Sequence, residues 1–153
     1  LITLLDKISS VISGLLFLQN SCISLKIVAS TRVKINVTSF SNGGSDTPDP
    51  KARTRAIDEH KGWVDCAAQL GCDAIRVNCR SGGNRDENLE NAAKGLGTLC
   101  DYAKGTKVKI VIEPHGGNSQ DPDWLLAAMK KINRPNAGLL PDFNNFGRYN
   151  RYE

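Results

Sequence analysis

Long apolar runs, paired cysteines and dense basic clusters are all missing from this sequence, and each absence removes a class of protein. A membrane-spanning helix needs roughly 20 consecutive apolar residues. The nearest approach, the GLLFL run within Val11–Leu18, falls well short and has Asp6 and Lys7 just before it. That run reads either as a buried helix or as the apolar part of a signal peptide, and neither is a membrane anchor. The five cysteines, Cys22, Cys66, Cys72, Cys79 and Cys100, form no CxxC pair and no zinc-finger spacing. An odd, scattered set fits reduced thiols in a cytoplasmic protein rather than a disulfide framework. The net charge is only +4, and lysines and arginines are spread without aromatic interleaving, which argues against nucleic acid as a partner.

What is present is a chain of 153 residues, 40% hydrophobic, enough for one core of ordinary size. It begins at Leu1 rather than methionine and ends at Glu153 in a polar, aromatic-rich stretch. Both features are expected of a piece of a longer protein.

The most informative stretch is Lys107–Asn118, KVKIVIEPHGGN. Val108, Ile110 and Ile112 alternate with Lys107, Lys109, Val111 and Glu113, the period of a strand. The strand delivers Glu113 and His115 to a Gly-rich loop. About thirty residues later Gly138–Asn145, GLLPDFNN, repeats the design as a short strand ending on Asp142. Carboxylates at the C-terminal ends of strands sit where α/β sheets and barrels place their active sites.

The remaining elements follow in order. Leu1–Asn20 has near-helical apolar spacing, and Ile23–Ser30 reads as strand or linker. Val33–Val37 alternates like a strand and runs into the turn-rich loop Ser39–Pro50. Asp49-Pro50 is an N-cap with proline at the first helical position, opening an amphipathic helix over Lys51–Leu70 that Gly71 stops. Ala74–Asn78 is a strand, and Cys79–Arg85 a loop. A second helix follows, carrying Leu89, Ala92, Leu96, Leu99 and Ala103 and closed by Gly105. Asp121-Pro122 starts a third, burying Trp124, Leu125, Ala128 and Ile132, and Asn133–Ala137 breaks it.

From Val33 the order is β-α-β-α-β-α-β, which predicts a parallel sheet with outer helices. Two architectures satisfy it, an open doubly wound sheet and part of a (β/α)₈ barrel. A whole barrel needs about 250 residues, so this chain holds about half of one. Neither Gly82-Gly83 nor Gly116-Gly117 fits the GxGxxG pattern of a dinucleotide site.

Three motifs, IRVN at Ile75–Asn78, IEPHGG at Ile112–Gly117 and LPDFNNF at Leu140–Phe146, together resemble the sugar-phosphate isomerase/epimerase family of xylose isomerase-like TIM barrels. The segment EHKGWVDCAAQLGCDAIRVN is similar to that family's approach to its fourth strand. The resemblance runs from Val33 to Glu153. It divides the chain into an N-terminal segment, residues 1–30, and a partial TIM-barrel domain, residues 31–153.

The resemblance implies a divalent metal (Mg, Mn, Co or Zn) at the barrel mouth, held by a Glu, an Asp, a His and a second Glu. Glu113 matches the first ligand and Asp142 the second; the other two would lie beyond Glu153. It also implies a small sugar or sugar phosphate as substrate, with self-association as a further expectation, since an open half-barrel leaves sheet edges exposed. Proton abstraction next to a carbonyl yields an enediolate that such a metal stabilises, and Glu113 is the expected general base.

Each candidate has a plainer alternative. Glu113 and Asp142 could be solvated strand-end carboxylates. His115 either meets a substrate hydroxyl or Glu113, or packs as a loop histidine on Trp124. Arg76 and Asn78 share the strand face opposite Ile75 and Val77, so Arg76 either serves the substrate or forms an internal ion pair, and Asn78 lines the mouth. Asn145 is expected at the substrate. His60, on an apolar helix face, is expected to be structural. The competing functions are a non-catalytic half-barrel and an apurinic-site endonuclease-like hydrolase. The second needs many histidines, and only His60 and His115 exist.

Overall fold

The computed structural model describes residues 45–80, 83–142 and 145–146. The expected elements at Leu1–Asn20, Ile23–Ser30 and Val33–Val37 lie outside the described residues. Helix α1 spans Pro50–Leu70, with Asp49 Oδ1 accepting from the Lys51 amide at 3.0 Å. It ends at Gly71, whose φ of 72° lets its N–H reach the Ala67 and Ala68 carbonyls. Strand β1 is Ala74–Asn78.

Helix α2 spans Arg85–Ala103. Its N-cap, Asn84, accepts from the amides of Asp86 and Glu87 at 3.0 Å each. Gly105 does not close this helix. The cap is Lys104 in a right-handed conformation, and the Thr106 amide turns back to the Ala103 carbonyl. Thr106 Oγ1 also accepts from the Val108 amide at 3.1 Å. Lys107 and Val108 therefore belong to this turn, and strand β2 covers Lys109–Glu113. After a 3₁₀ turn at Gly117–Gln120, helix α3 runs over Pro122–Ile132, and Asn133 ends it with a φ of 43°.

Strand β3 is Ala137–Leu139. The expected strand reaching Asp142 is thus too long. Leu140 still donates to the Ile112 carbonyl at 2.8 Å, but Pro141 has no N–H to continue the ladder.

The three strands lie in the order β1-β2-β3, every neighbouring pair parallel. Ile75 pairs with Ile110 and Val77 with Ile112, which sets four β-branched side chains on one face. That face packs on Trp63, Val64 and Ala67 of α1, Leu96 and Leu99 of α2, and Trp124, Leu125 and Ala128 of α3. His60 is buried in α1, as its place on the apolar face predicts. Among the described residues no helix is long and apolar enough to cross a membrane.

Candidate active site

Alternation gives the other face of the sheet to Arg76, Asn78, Val111 and Glu113, and register sets Asn78 directly beside Glu113 at the C-terminal ends of β1 and β2. Glu113 is 8% exposed and Arg76 12%, with Nη1 of Arg76 2.6 Å from Oε2 of Glu113. The contact is an ion pair by distance, not a well-aligned hydrogen bond. Asn78 is 4% exposed, and neither its amide nitrogen nor its oxygen has a hydrogen-bond partner among the described residues. Buried side-chain amides are seldom left so.

The loop after β2 needs two consecutive left-handed residues, Gly116 at φ 99° and Gly117 at φ 59°, and glycine adopts these without strain. Ser119 closes the loop: its Oγ accepts from the His115 amide at 3.2 Å and donates to the Gly116 carbonyl at 2.8 Å. His115 is thereby held with Nδ1 3.6 Å from Oε2 of Glu113 and 3.1 Å from Nδ2 of Asn145. Asn145 Nδ2 also donates to Oδ2 of Asp142 at 2.9 Å. A carboxylate can only accept, so this bond fixes the Asn145 amide. The second N–H then faces a lone pair on Nδ1, and the neutral ring carries its proton on Nε2. Gln120 Nε2 donates to the Asn145 carbonyl at 3.0 Å and ties this loop to the one after β2.

Five of the six expected residues therefore gather at the C-terminal end of the sheet, and Arg76 reaches Glu113 from the middle of β1. Glu113, Arg76 and Asn78 sit on strands. His115, Asn145 and Asp142 sit on the loops that follow them, Asp142 three residues past β3. Arg76 takes the internal ion-pair alternative. A second polar chain runs behind the His115 loop, through Asp46, Asn88 and Asn118, and no motif marks it. Its one sequence signal is Asn88, a polar residue four before Ala92 on the apolar stripe of α2.

Glu113 and Asp142 suit a hard divalent ion in kind. In number they fall short: among the described residues no group of three or more His, Cys, Asp or Glu side chains could hold a metal. Among the described residues the thiols are held in their protonated, weakly nucleophilic form. Burial and then the negative charge of Asp46 push Cys79 well above the ordinary thiol range, and burial raises Cys100 to about 11.

Comparison with known proteins matches residues 24–152 to the sequence model of the xylose isomerase-like TIM barrel. No curated protein matches. Among solved structures, a D-tagatose 3-epimerase-like protein superposes with a TM-score of 0.67 at 18% identity, covering 94% of this chain and 52% of its own. A D-allulose 3-epimerase from Methylomonas sp., in complex with D-allulose, gives 0.64 at 23% identity, covering 76% and 44%. The IOLI protein with a binding zinc atom gives 0.61 at 23%, covering 68% and 40%. At such identities these likenesses speak for the fold, and they decide for a partial barrel over a doubly wound sheet. The chain spans about half or less of each of these proteins.

Proposed function

The chain belongs to the xylose isomerase-like TIM barrel family, and on that footing we propose that it carries part of the active site of a divalent-metal-dependent sugar or sugar-phosphate isomerase or epimerase. The observation that carries this reading is the buried Glu113 carboxylate beside the Asn78 amide, which has no hydrogen-bond partner among the described residues, at the C-terminal edge of a parallel sheet. Glu113 takes the proton from the carbon next to the sugar carbonyl, and Arg76 compensates its charge and orients it from below. Asn78 offers a donor and an acceptor to substrate hydroxyls, and their bonds would satisfy an amide that the described residues leave open. His115 presents its Nε2–H to a substrate oxygen, with its ring held by Asn145. Proton abstraction leaves negative charge on the substrate oxygens; a divalent ion (Mg, Mn, Co or Zn) held at Glu113 and Asp142 would supply Lewis-acid stabilisation there. Residues 1–30 stand apart from the domain of residues 31–153 in this reading, and the protein works in the cytoplasm.

Two carboxylates hold a hydrated ion loosely, so residues 1–153 alone should bind Mn²⁺ weakly and give no turnover. With the remaining strands of the barrel supplied, D-allulose and D-tagatose are the first substrates to assay, because two of the similar structures are named for such sugars or hold one. Turnover with Mn²⁺ that Glu113→Gln abolishes is the expected result. Turnover that survives Glu113→Gln, or tight Mn²⁺ binding by the short chain, would show that the site is elsewhere.

A further inference from the structure

We infer that Asp46 is a positioning residue for His115, acting through Asn88 and Asn118 on the loop that bears the imidazole; this rests on the site proposed above. Asp46 lies in the segment before α1, fully buried, and a carboxylate is costly to bury unless it is used. Nδ2 of Asn88, in the first turn of α2, donates to Oδ2 of Asp46 at 2.9 Å and approaches the Asp46 backbone oxygen at 3.2 Å. With both directions of that amide nitrogen committed to acceptors, Oδ1 of Asn88 must point the other way. There it accepts from Nδ2 of Asn118 at 3.0 Å. The acceptor at Asp46 thus dictates the order of donors and acceptors through two amides, which an apolar contact could not do.

The relay ends on the loop that matters. Asn118 sits in the 3₁₀ turn, and the next residue, Ser119, is fully buried and bonds both the His115 amide and the Gly116 carbonyl. Three chain segments, separated by 42 and 30 residues, are locked in one orientation behind the imidazole. The seat for the Asp46 segment is built by Gly95 of α2, where any side chain would meet the Ser45 carbonyl oxygen.

The test uses residues 1–153 and needs no turnover, so failure of the sugar assay would count against the proposed function alone. Hydrogen exchange is followed at residues 115–120 in Asp46→Ala, Asn118→Ala and Asp46→Asn, alongside the ring resonances of the two histidines. Opening a buried, unsatisfied link should speed exchange in the loop by about tenfold in both alanine variants. The His115 ring signal should move while that of His60 stays. Asp46→Asn keeps an acceptor for Asn88 and should restore both readouts. An unchanged loop in Asn118→Ala overturns the inference, as does Asp46→Asn exchanging as fast as the alanine variants. An effect spread equally over β2 and His60 would mark a structural role only, and would also overturn it. If Asp46→Ala does not fold, the other two variants decide.

Discussion

Nη1 of Arg76 lies 2.6 Å from Oε2 of Glu113, joining neighbouring strands across the face of the sheet away from the helices. Two strand positions that alternation alone sets on one face are here bound by charge, at the place where the proposed chemistry needs a carboxylate in a fixed orientation. A buried pair of this kind contributes little net stability compared with apolar residues, but removing one partner strands the other.

Arg76→Ala should therefore lower unfolding stability by about 3 kcal/mol, read from urea denaturation. Adding Glu113→Gln to it should recover part of that loss, because the stranded charge goes too. A double variant less stable than Arg76→Ala by the full cost of Glu113→Gln would mean that the two side chains act independently.

His60 predicts an acid limb of stability. Its Nδ1 donates to the Ala56 carbonyl at 2.6 Å, while Nε2 is buried without a partner among the described residues. Burial lowers its pKa below 6.5, opposed by the Ala56 bond and the charge of Glu59. The unfolded chain takes up the proton more readily, so this contribution is complete above 6.5 and is lost as pH falls through 6.5 toward the folded value. Urea midpoints between about pH 7.5 and about pH 5 should fall, and His60→Leu should flatten the slope. An equal slope in the variant would assign the effect to other groups.

The parts of the fold that were legible in the sequence are those with local chemical signatures. Asp49-Pro50 and Gly71 bracket α1 because capping is a property of a few adjacent residues. Ala74–Asn78 is readable because apolar Ile75 and Val77 alternate with polar Arg76 and Asn78. Where partners are distant, local reading fails. Gly105 looks like a helix stop, yet the helix ends at Ala103 with Lys104 as its cap, and the bonds of Thr106 back to Ala103 make the turn. The start of α2 went unread inside the loop Cys79–Arg85, although Asn84 with Glu87 three residues on is a capping pattern. Glu113 and His115 were legible at the end of an alternating run. Asp46 was not, since its meaning lies in Asn88, 42 residues away.

Gly95 and Gly97, two residues apart on α2, should respond oppositely to alanine. A methyl at Gly95 would run into the Ser45 carbonyl, whereas nothing lies within 4 Å of one at Gly97. Gly97→Ala should stabilise by about 0.5–1 kcal/mol through helix propensity and a less free unfolded chain. Gly95→Ala should lose about 1–3 kcal/mol to overpacking. Thermal or urea unfolding of the pair reads the difference, and two stabilised variants would show that the segment before α1 does not pack there.

Asn78 sets stability against binding. Its amide is buried with neither end hydrogen-bonded among the described residues, and a group in that condition costs about 1–3 kcal/mol. Leucine has nearly the same shape and no polar atoms to desolvate. Asn78→Leu should therefore leave the fold as stable or raise it by about 1 kcal/mol, even though it sits beside Glu113. If the proposed function holds, the same change in a chain supplied with the remaining strands of a barrel should weaken sugar binding by about tenfold or more, because a substrate hydroxyl then faces an apolar wall. Denaturation and sugar titration on one variant separate the alternatives. If Asn78→Leu is strongly destabilised, the amide serves the fold. If it is stable and binds sugar as well as the parent, Asn78 does not face the substrate, and the mouth of the site must be drawn around other residues.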